Sequence, residues 1–333
     1  MWKLVKCAVQ GRGHVKAGTP CQDKVCTYTG NGVSVIALAD GAGSARLSHF
    51  GAQRVTQFVC EEFSDHFDDW FQEPDGVLVK KQLVQKILEQ LTDLRQELNC
   101  ELRDLASTLL VVAAKEDCFL LIHIGDGVIG YWRDGELKVA SHPENGEFAN
   151  ITFFTTSSNA ISTMKIAKGN LGNIAGFVLM SDGTAESFYS HQTSSLAGVL
   201  AKIMKMTLIF PQEKIEKDLL ESFEQVVIQR THDDCSLALM VRPTDSFTGF
   251  EDLSQEEKCD VLEINMLTPD IKKKLARYTK IMRMINRRPS CTLVSLSREI
   301  HLKPKYTRKY LMNVLRCGLI QSCKNGHYKS SVK

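Results

Sequence analysis

The chain has 333 residues, an apolar fraction of 43% and a formal net charge of +2, which indicates a globular protein rather than a disordered one. No apolar run approaches the ~20 residues of a membrane span, and the amino terminus lacks the apolar core of a signal peptide. The 11 cysteines are scattered without a Cys-x-x-Cys pair, which predicts free thiols in a cytoplasmic protein and argues against a zinc site.

Apolar periodicity predicts blocks of strands and helices in the first two-thirds of the chain. Residues 33–39 are a β-rich apolar run, and residues 155–162 and 165–173 are predicted as polar loops. Strands gathered around paired amphipathic helices favour an α+β fold over a doubly wound sheet. The other predicted strands are 107–114, 119–124, 127–133, 137–140, 174–180 and 235–241, and the predicted helices are 44–63, 77–100, 195–206 and 213–230.

Composition and charge divide the chain into three predicted parts. A first domain covers residues 1–243, a polar, turn-rich linker covers 244–269, and a small domain covers 270–333. The small domain carries 17 lysines and arginines against 2 acidic residues, whereas the rest of the chain carries 24 basic and 37 acidic residues. Such a basic segment is typical of a contact with nucleic acid or another polyanion. The alternative is that the two domains attract each other electrostatically.

The element pattern of the basic segment resembles a winged helix-turn-helix domain. Helices are predicted at residues 271–286, 293–300 and 305–317, the first of them ended by Pro289. A hairpin is predicted after the third helix, with its tip at residues 324–327. The fold class predicted for the whole chain is therefore an α+β domain followed by a small winged helix-turn-helix domain.

The third helix of such a domain would be the one that reads duplex DNA. Tyr306, Tyr310, Leu311, Val314 and Leu315 are predicted to face inward. The residues predicted to be exposed for phosphate contacts are Lys305, Arg308, Lys309 and Arg316, with Asn313 as a further candidate. Because the same fold also serves protein contacts, a protein target stays open beside DNA.

Five short acidic motifs follow one another along the first domain. Three of their aspartates end an apolar run and directly precede a glycine, which places a carboxylate at a strand end where the backbone can turn sharply. Each motif alone is ordinary turn chemistry, but a spaced set suggests strand ends that converge on a hard cation. The motifs are Cys21-Gln22-Asp23, Asp40-Gly41, Gly125-Asp126-Gly127, Ser181-Asp182-Gly183 and Asp233-Asp234.

The ordered set resembles the metal-dependent serine/threonine protein phosphatases of type 2C, over about residues 9–242. The sequences around residues 18–23 and 39–45 resemble a divergent, mainly prokaryotic branch of that family. The resemblance implies an αββα sandwich of two antiparallel sheets flanked by helices. It also implies hydrolysis of phosphoserine or phosphothreonine in proteins by a water that two Mn²⁺ or Mg²⁺ ions activate. A serine/threonine kinase would then be the opposing enzyme.

The resemblance assigns roles to individual residues. Asp23 matches the acidic residue of the family's first motif, and Asp40 and the Gly41 carbonyl match the pair that binds both metals. Asp234 occupies the position of the asparagine in the family's closing Asp-Asn motif. Asp126 matches a residue that helps to hold a third, weaker metal in many members. The implied metal ligands are Asp23, Asp40, Gly41, Asp126, Asp182 and Asp233. The implied catalytic residues are Asp40, Asp182 and Asp233.

Two departures from the family pattern concern the substrate phosphate and the leaving group. Gly18 stands where many members have a phosphate-binding arginine, so Arg12 and His14 are predicted to bind the phosphate from a flexible loop, with Lys16 as an alternative. Ala42 stands where many eukaryotic members have a histidine general acid, and loss of such an acid costs ~10²–10⁴-fold in rate.

These departures leave a second hypothesis open. Gly18 and Ala42 favour a DNA-binding regulator whose phosphatase-like domain is a catalytically weak sensor or docking platform. All the implied metal carboxylates are present, however, and this favours an active enzyme. The predicted partners are accordingly a phosphorylated protein and duplex DNA, with no membrane.

Overall fold

The computed structural model describes residues 2–144, 152–243, 246–288, 291–323 and 326–330, with the backbone alone at 246–248. The chain divides into two compact units. The first unit is Met1–Met204 with Glu216–Arg242, and the second is Lys205–Ile215 with Pro243–Lys333. None of the described helices combines the length and the apolar character that a membrane span requires.

The first unit contains two five-stranded sheets whose strands all pair antiparallel. One sheet has the order β1-β12-β9-β6-β7 and the other β2-β3-β4-β5-β8, and β10 and β11 form a small hairpin. The strands are β1 (Lys3–Val9), β2 (Lys24–Gly30), β3 (Val33–Ala39), β4 (Leu109–Lys115), β5 (Cys118–Ile124), β6 (Val128–Arg133), β7 (Glu136–Ser141), β8 (Lys165–Asn170), β9 (Ile174–Met180), β10 (Tyr189–Ser190), β11 (Ser195–Leu196) and β12 (Cys235–Val241).

Helices cover the outer faces of these sheets, so the predicted α+β sandwich is confirmed. The helix α2 has non-helical angles at His66 and continues beyond the predicted end at residue 63, because Phe67 and Trp70 extend its buried stripe. The helices are α1 (Arg12–Ala17), α2 (Ser48–Gln72), α3 (Gly76–Leu98), α4 (Ala160–Thr163) and α5 (Asp182–Phe188), with 3₁₀ turns at Leu102–Leu105 and Val227–Gln229. The helices α6 (Val199–Ile209) and α7 (Gln212–Gln225) each belong in part to the second unit.

The strand β3 shows why the sequence contains a continuous apolar run. Its alternate residues Val35 and Ala37 pack with the α2 and α3 side chains, whereas Ile36 and Leu38 pack against the opposite sheet. Both faces of the strand are therefore buried, and every one of its seven residues is shielded from solvent. This packing holds the end of β3, and thus Asp40, at a fixed place.

Several boundaries differ from the predictions. Residues 165–170 form the edge strand β8 rather than a polar loop, because they pair with β5 through the main chain, which leaves polar side chains free to face solvent. Residues 195–196 belong to the hairpin, and the helix begins at Val199. The helix predicted to reach residue 230 ends at Gln225. The strands β1 and β2 were not predicted, since each carries polar residues that interrupt an apolar run.

Close packing between α2 and the 3₁₀ turn Leu102–Leu105 provides a stability test. A β-carbon on Gly51 would lie 2.0 Å from the Leu105 carbonyl oxygen, a main-chain atom that cannot swing away. We expect Gly51→Ala to destabilise the first unit by about 3 kcal/mol in denaturant unfolding. Gly76→Ala is the matched control, because its β-carbon would meet only Ile166 at 3.8 Å. Equal unfolding midpoints for the two variants would contradict this packing.

The second unit contains α8 (Ser246–Glu251), α9 (Gln255–Val261), α10 (Ile271–Arg287), α11 (Leu293–Glu299) and α12 (Pro304–Arg316). Its sheet has the order β13-β15-β14, and both strand pairs are antiparallel. The strands are β13 (Cys291–Thr292), β14 (Ile320–Cys323) and β15 (His327–Ser330). Pro289 and the hairpin-tip residues 324–325 lie outside the described residues.

The segment predicted as a linker, 244–269, contains α8 and α9 instead of extended chain. Ser254 and Glu257 form a capping box, in which each side chain accepts a hydrogen bond from the main-chain amide of the other (3.1 and 2.7 Å). Phe250, Leu253 and Leu262 are buried. The segment therefore contains two short helices, and the capping-box spacing of Ser254 and Glu257 was the signal that could have revealed α9.

Candidate metal centre

Four of the predicted aspartates lie at strand ends in the first unit. Asp40 directly follows β3, and Asp126 lies in the turn between β5 and β6. Asp182 begins α5 after β9, and Asp233 lies just before β12. Since β3 and β5 belong to one sheet and β9 and β12 to the other, the two sheets together supply the acidic side chains.

The structure brings three of these carboxylates into direct proximity. One oxygen each of Asp40, Asp126 and Asp182 lies within 4.8 Å of the other two. Asp233 is close enough to disfavour ionisation of all three, and Asp23 disfavours ionisation of Asp40 and Asp182. The sequence-based prediction that separate acidic motifs converge is therefore confirmed for the triad.

Burial and mutual repulsion shift the protonation of these groups. Burial, followed by the charges of Asp23, Asp182 and Asp233, raises the pKa of Asp40 well above its ordinary value. Burial, followed by the neighbouring charges, raises the pKa of Asp182 to about 8. Burial likewise raises the pKa of Asp126. Carboxylates held together in this way favour either protons or a bound cation.

Asp23 provides a test of whether a cation fits. Its side chain is 1% exposed, and within the described residues neither carboxylate oxygen has a hydrogen bond of regular geometry. Burial raises the pKa of this carboxyl to about 6. A buried carboxylate without regular hydrogen bonds, next to three clustered ones, offers the all-oxygen donor set that Mn²⁺ and Mg²⁺ prefer. The residues present therefore fit such ions.

Thr108 fixes the position of Asp40. The Thr108 hydroxyl accepts a hydrogen bond from the Asp40 amide (2.8 Å), and the Thr108 amide donates to the Asp40 carbonyl (2.8 Å). Ser107 and Thr108 were not among the site residues predicted from the sequence, so this role was missed. The hydroxyl pair at the start of a strand was the available signal. Thr152 plays a related part, since its hydroxyl donates to Asp126 (2.5 Å).

Gly41 lies where a side chain cannot be accommodated. A β-carbon there would lie 2.7 Å from the Ser48 hydroxyl, which accepts a hydrogen bond from the Gln22 side chain (2.8 Å). Glycine therefore allows the first motif, the second motif and the start of α2 to approach closely. The ligand role of the Gly41 carbonyl stays a prediction.

Asp234 joins the two ends of the first unit. Its buried carboxylate accepts hydrogen bonds from the amides of Gly11 (2.6 Å) and Gln22 (2.5 Å), and His14 Nδ1 lies 2.9 Å from one of its oxygens. These contacts hold the segment with Asp233 against the first motif. The partners are separated from Asp234 by 223 and 212 residues, so no local sequence pattern could indicate them.

Arg12 and His14 do not lie in a flexible loop, and that part of the prediction is wrong. They belong to α1, which Gly18 ends with a left-handed φ of 67°. The Arg12 guanidinium donates to the carbonyls of Thr231 (3.1 Å) and Gln229 (3.0 Å). Both side chains are thus engaged with the segment that precedes β12.

Ala42 also has a packing role. It is 6% exposed and packs with Ala45, Ala106 and the partly buried Phe154. The position that holds a histidine in many eukaryotic members is therefore part of a small apolar contact between loops.

Comparison with known proteins places this fold and centre in a phosphatase class. A family model described as Protein phosphatase 2C matches residues 10–223. The chain belongs to the protein phosphatase 2C family, and it is a protein-serine/threonine phosphatase, as the sequence predicted. The predicted Mn²⁺ or Mg²⁺ cofactor agrees with this family and with the acidic cluster. Residues 1–9 and 224–333 lie outside the family match.

Individual relatives agree with this assignment. Serine/threonine-protein phosphatase 3 of Escherichia coli K12 is 26% identical over 254 residues, which are 72% of this chain and 97% of the relative. The serine/threonine phosphatase of S. agalactiae is 17% identical with a TM-score of 0.51, covering 72% of this chain and 99% of its own. Stp1 of Staphylococcus aureus is 12% identical with a TM-score of 0.51, covering 73% and 96%. The two structures share the fold.

Proposed function

We propose that the first unit hydrolyses phosphoserine and phosphothreonine in proteins with two Mn²⁺ or Mg²⁺ ions. The observation that supports this most directly is the carboxylate triad within 4.8 Å, beside the buried carboxylate of Asp23. In this proposal Asp40, Asp182 and Asp233 are the catalytic residues. Asp23 and the Gly41 carbonyl complete the set of ligands that hold the two metal ions. Asp126 helps to hold a third metal ion.

The roles of the chain's own residues follow from their contacts. When bound, two metal ions at this centre would neutralise phosphate charge and lower the pKa of the attacking water. Thr108 holds Asp40 through two hydrogen bonds, and Asp234 anchors the segment of Asp233. Preorganised anchors of this kind keep charged groups in place without reorganisation during the reaction.

For Arg12 and His14 we favour a positioning role over the phosphate contact predicted from sequence. Arg12 donates to main-chain carbonyls of the segment before Asp233, and His14 lies beside the Asp234 carboxylate.

A serine/threonine kinase acting on the same protein substrates would be the opposing enzyme.

A metal-dependent assay tests the proposed reaction. The full chain is incubated with a phosphothreonine peptide, and with p-nitrophenyl phosphate, with Mn²⁺ or with a chelator. We expect phosphate release that needs Mn²⁺ and is lost on chelation. Release that is unchanged by chelator, or none on either substrate at saturating Mn²⁺, would contradict the proposal.

We also propose that residues 270–330 form a winged helix-turn-helix that binds duplex DNA. The supporting observation is three helices, α10 to α12, followed by the strand pair β14–β15, which joins β13 in one sheet. The α12 side chains Lys305, Arg308 and Lys309 are exposed. Such an exposed basic helix is suited to lie against phosphates in a major groove.

Two predicted contact residues are engaged within the second unit. The Asn313 amide group donates to the Leu262 carbonyl (2.8 Å) and to the Tyr278 hydroxyl (3.1 Å). Arg316 lies 3.2 Å from Glu263 and donates to the Asn313 side chain (2.8 Å). We therefore expect Lys305, Arg308 and Lys309 to contribute more to DNA affinity than these two residues.

Predicted side-chain directions on α12 need one correction. Tyr306 is 45% exposed rather than inward, whereas Thr307 is fully buried. Lys305 Nζ lies 4.9 Å from the centroid of the Tyr306 ring. The helix therefore presents an aromatic ring together with its cations on the exposed side.

The dependence of DNA affinity on salt tests this second proposal. Lys305→Ala combined with Lys309→Ala should reduce the slope of log affinity against log salt by about 1.8, because each phosphate contact contributes about 0.9. Lys80→Ala combined with Lys81→Ala on α3 removes the same charge from the first unit and should leave the slope unchanged. Equal slopes for both double variants, or no duplex binding by the full chain at low salt, would instead favour a protein target.

A further inference from the structure

A buried histidine, His123, lies near the end of β5 in the first unit. It is the next-to-last residue of that strand and is 1% exposed. Because side chains alternate along a strand, His123 faces the same side as Phe119 and Leu121, which pack between the two sheets, and not the side of Ile122, which packs with α2 and α3. The row of apolar side chains between the sheets therefore ends in a polar ring, three residues before Asp126.

Both ring nitrogens of His123 are engaged. Its Nε2 lies 2.9 Å from the Gly125 carbonyl oxygen, and its Nδ1 lies 2.6 Å from the hydroxyl of Ser141 at the end of β7, which belongs to the other sheet. Burial, followed by the charge of Lys165, lowers the pKa of His123 to about 3, so the ring is neutral at pH 7. Because a carbonyl oxygen can only accept, Nε2 carries the proton, and Nδ1 accepts from the Ser141 hydroxyl.

The Gly125 carbonyl belongs to the turn that carries Asp126. It accepts a second hydrogen bond from the Glu144 amide (3.0 Å). Gly125 has a positive φ of 112°, and a β-carbon there would lie 2.6 Å from the side chain of Thr108, the residue that holds Asp40. The turn is therefore packed against the support of one triad member and directly precedes another, so its position decides where the Asp126 carboxylate lies.

We propose that His123 is a positioning residue for the Asp126 carboxylate. Its Nε2 holds the Gly125 carbonyl, and Ser141 holds the ring in the tautomer that can donate this hydrogen bond. The proposal rests on the proposed function, in which Asp126 helps to hold a third metal ion. His123 bonds to the main chain before Asp126 and not to the carboxylate, so its effect on metal binding is indirect. Partners behind a metal ligand typically contribute about 10–100-fold to metal affinity.

Equilibrium Mn²⁺ binding to the full chain, followed by the EPR signal of free Mn²⁺, tests this role. We expect His123→Leu, which removes both ring nitrogens, to weaken the most weakly bound ion by about 10–100-fold. His123→Gln keeps an amide group that can donate to the Gly125 carbonyl, so its affinity should stay close to that of the wild type. Leu121→Ala is the matched control, because Leu121 is a buried residue on the same face of β5. It should lower the stability and leave Mn²⁺ affinity unchanged.

A double variant shows whether His123 acts through Asp126. Asp126→Asn should lose the same weakly bound ion, and adding His123→Leu to it should cost no further Mn²⁺ affinity. Further loss in the double variant, or equal losses in His123→Leu and His123→Gln, would overturn the proposal. If His123→Leu does not fold, Ser141→Ala is the milder change, because it removes only the hydroxyl at Nδ1. It should weaken the same ion, and unchanged affinity in this variant would also overturn the proposal.

The tautomer of His123 provides a readout without metal. In chelator at pH 7, long-range ¹⁵N–¹H NMR of the full chain with labelled histidines should show His123 protonated at Nε2. A ring protonated at Nδ1 alone would overturn the proposal, since Nε2 could not then donate to the Gly125 carbonyl. The expected binding pattern in a chain that releases no phosphate would support the positioning role and contradict the proposed function alone. Absence of any Mn²⁺ binding by the wild-type chain would contradict both.

Discussion

Asp182→Asn is expected to lower Mn²⁺-dependent turnover of a phosphothreonine peptide by on the order of 10³-fold or more. Asp182 belongs to the carboxylate triad within 4.8 Å, and an amide in its place is neutral and a weaker ligand for a hard cation. Metal ions of this kind supply several kcal/mol of charge stabilisation in the transition state, and each 1.36 kcal/mol corresponds to tenfold in rate. Asp40→Asn should have a comparable effect, which steady-state kinetics at saturating Mn²⁺ can measure.

The chain contains a well-matched control for these variants. Asp134 also precedes a glycine, but it lies in the hairpin turn between β6 and β7 with a left-handed φ of 54°. Asparagine adopts this conformation readily, so Asp134→Asn should keep wild-type turnover. Similar rates for Asp182→Asn and Asp134→Asn would show that the triad does not carry the reaction.

Without divalent ions, the first unit is expected to lose stability as the pH rises from about 4 to about 8. The folded-state pKa is about 8 for Asp182 and about 6 for Asp23, against 3.8 ordinarily. Between these values the unfolded chain ionises its carboxyls while the folded unit retains protons, so rising pH favours unfolding. Because bound Mn²⁺ satisfies the carboxylates, it should raise the melting temperature more at pH 8 than at pH 5.

The burial of Asp182, together with repulsion from the neighbouring carboxylates, predicts that an inactivating change is also stabilising. Asp182→Asn removes one of the clustered charges, so the metal-free variant should melt several degrees above the metal-free wild type at pH 8. Near pH 4 the difference should vanish, because the wild-type carboxyl is then protonated. Thermal unfolding of both proteins in chelator measures this, with Asp134→Asn as control. A metal-free Asp182→Asn protein that melts below the wild type at pH 8 would contradict the cost assigned to the ionised Asp182 carboxylate.

The alternative of a DNA-binding regulator predicts a different combination of results. Gly18 ends α1 with a left-handed backbone conformation, and Ala42 packs against neighbouring loops. Because neither residue has a polar side chain, neither side chain can bind phosphate or act as a general acid. A sensor would bind Mn²⁺ and gain stability from it, while its turnover would be low and hardly affected by Asp40→Asn. The kinetic and thermal measurements together therefore distinguish a weak phosphatase-like domain from an efficient enzyme.

The sequence could predict the elements that have strong local patterns. The apolar run of β3 and the helical stripes of α2 and α3 were recognised, because burial on one or both faces leaves a clear periodicity. The edge strand β8 was missed, since main-chain pairing does not require apolar side chains. The acidic residues at strand ends predicted the centre itself.

The supporting contacts of the centre could not be derived from local sequence. The Asp234 carboxylate binds amides more than 200 residues away in the chain, and such a contact depends on the tertiary fold. Arg12 was predicted to bind phosphate from a flexible, glycine-containing loop, whereas its guanidinium donates to two main-chain carbonyls beyond α7. Glycine permits many backbone conformations, but the packing of a segment decides whether the segment is held in one of them.

Crystals of the full chain soaked in manganese and measured for anomalous scattering test the central claim most directly. The account predicts two strong peaks among the carboxylates of Asp23, Asp40, Asp182 and Asp233, with a weaker third beside Asp126. Both strong peaks should be absent from crystals of Asp40→Asn. Well-ordered wild-type crystals with no manganese peak between these side chains would contradict the account.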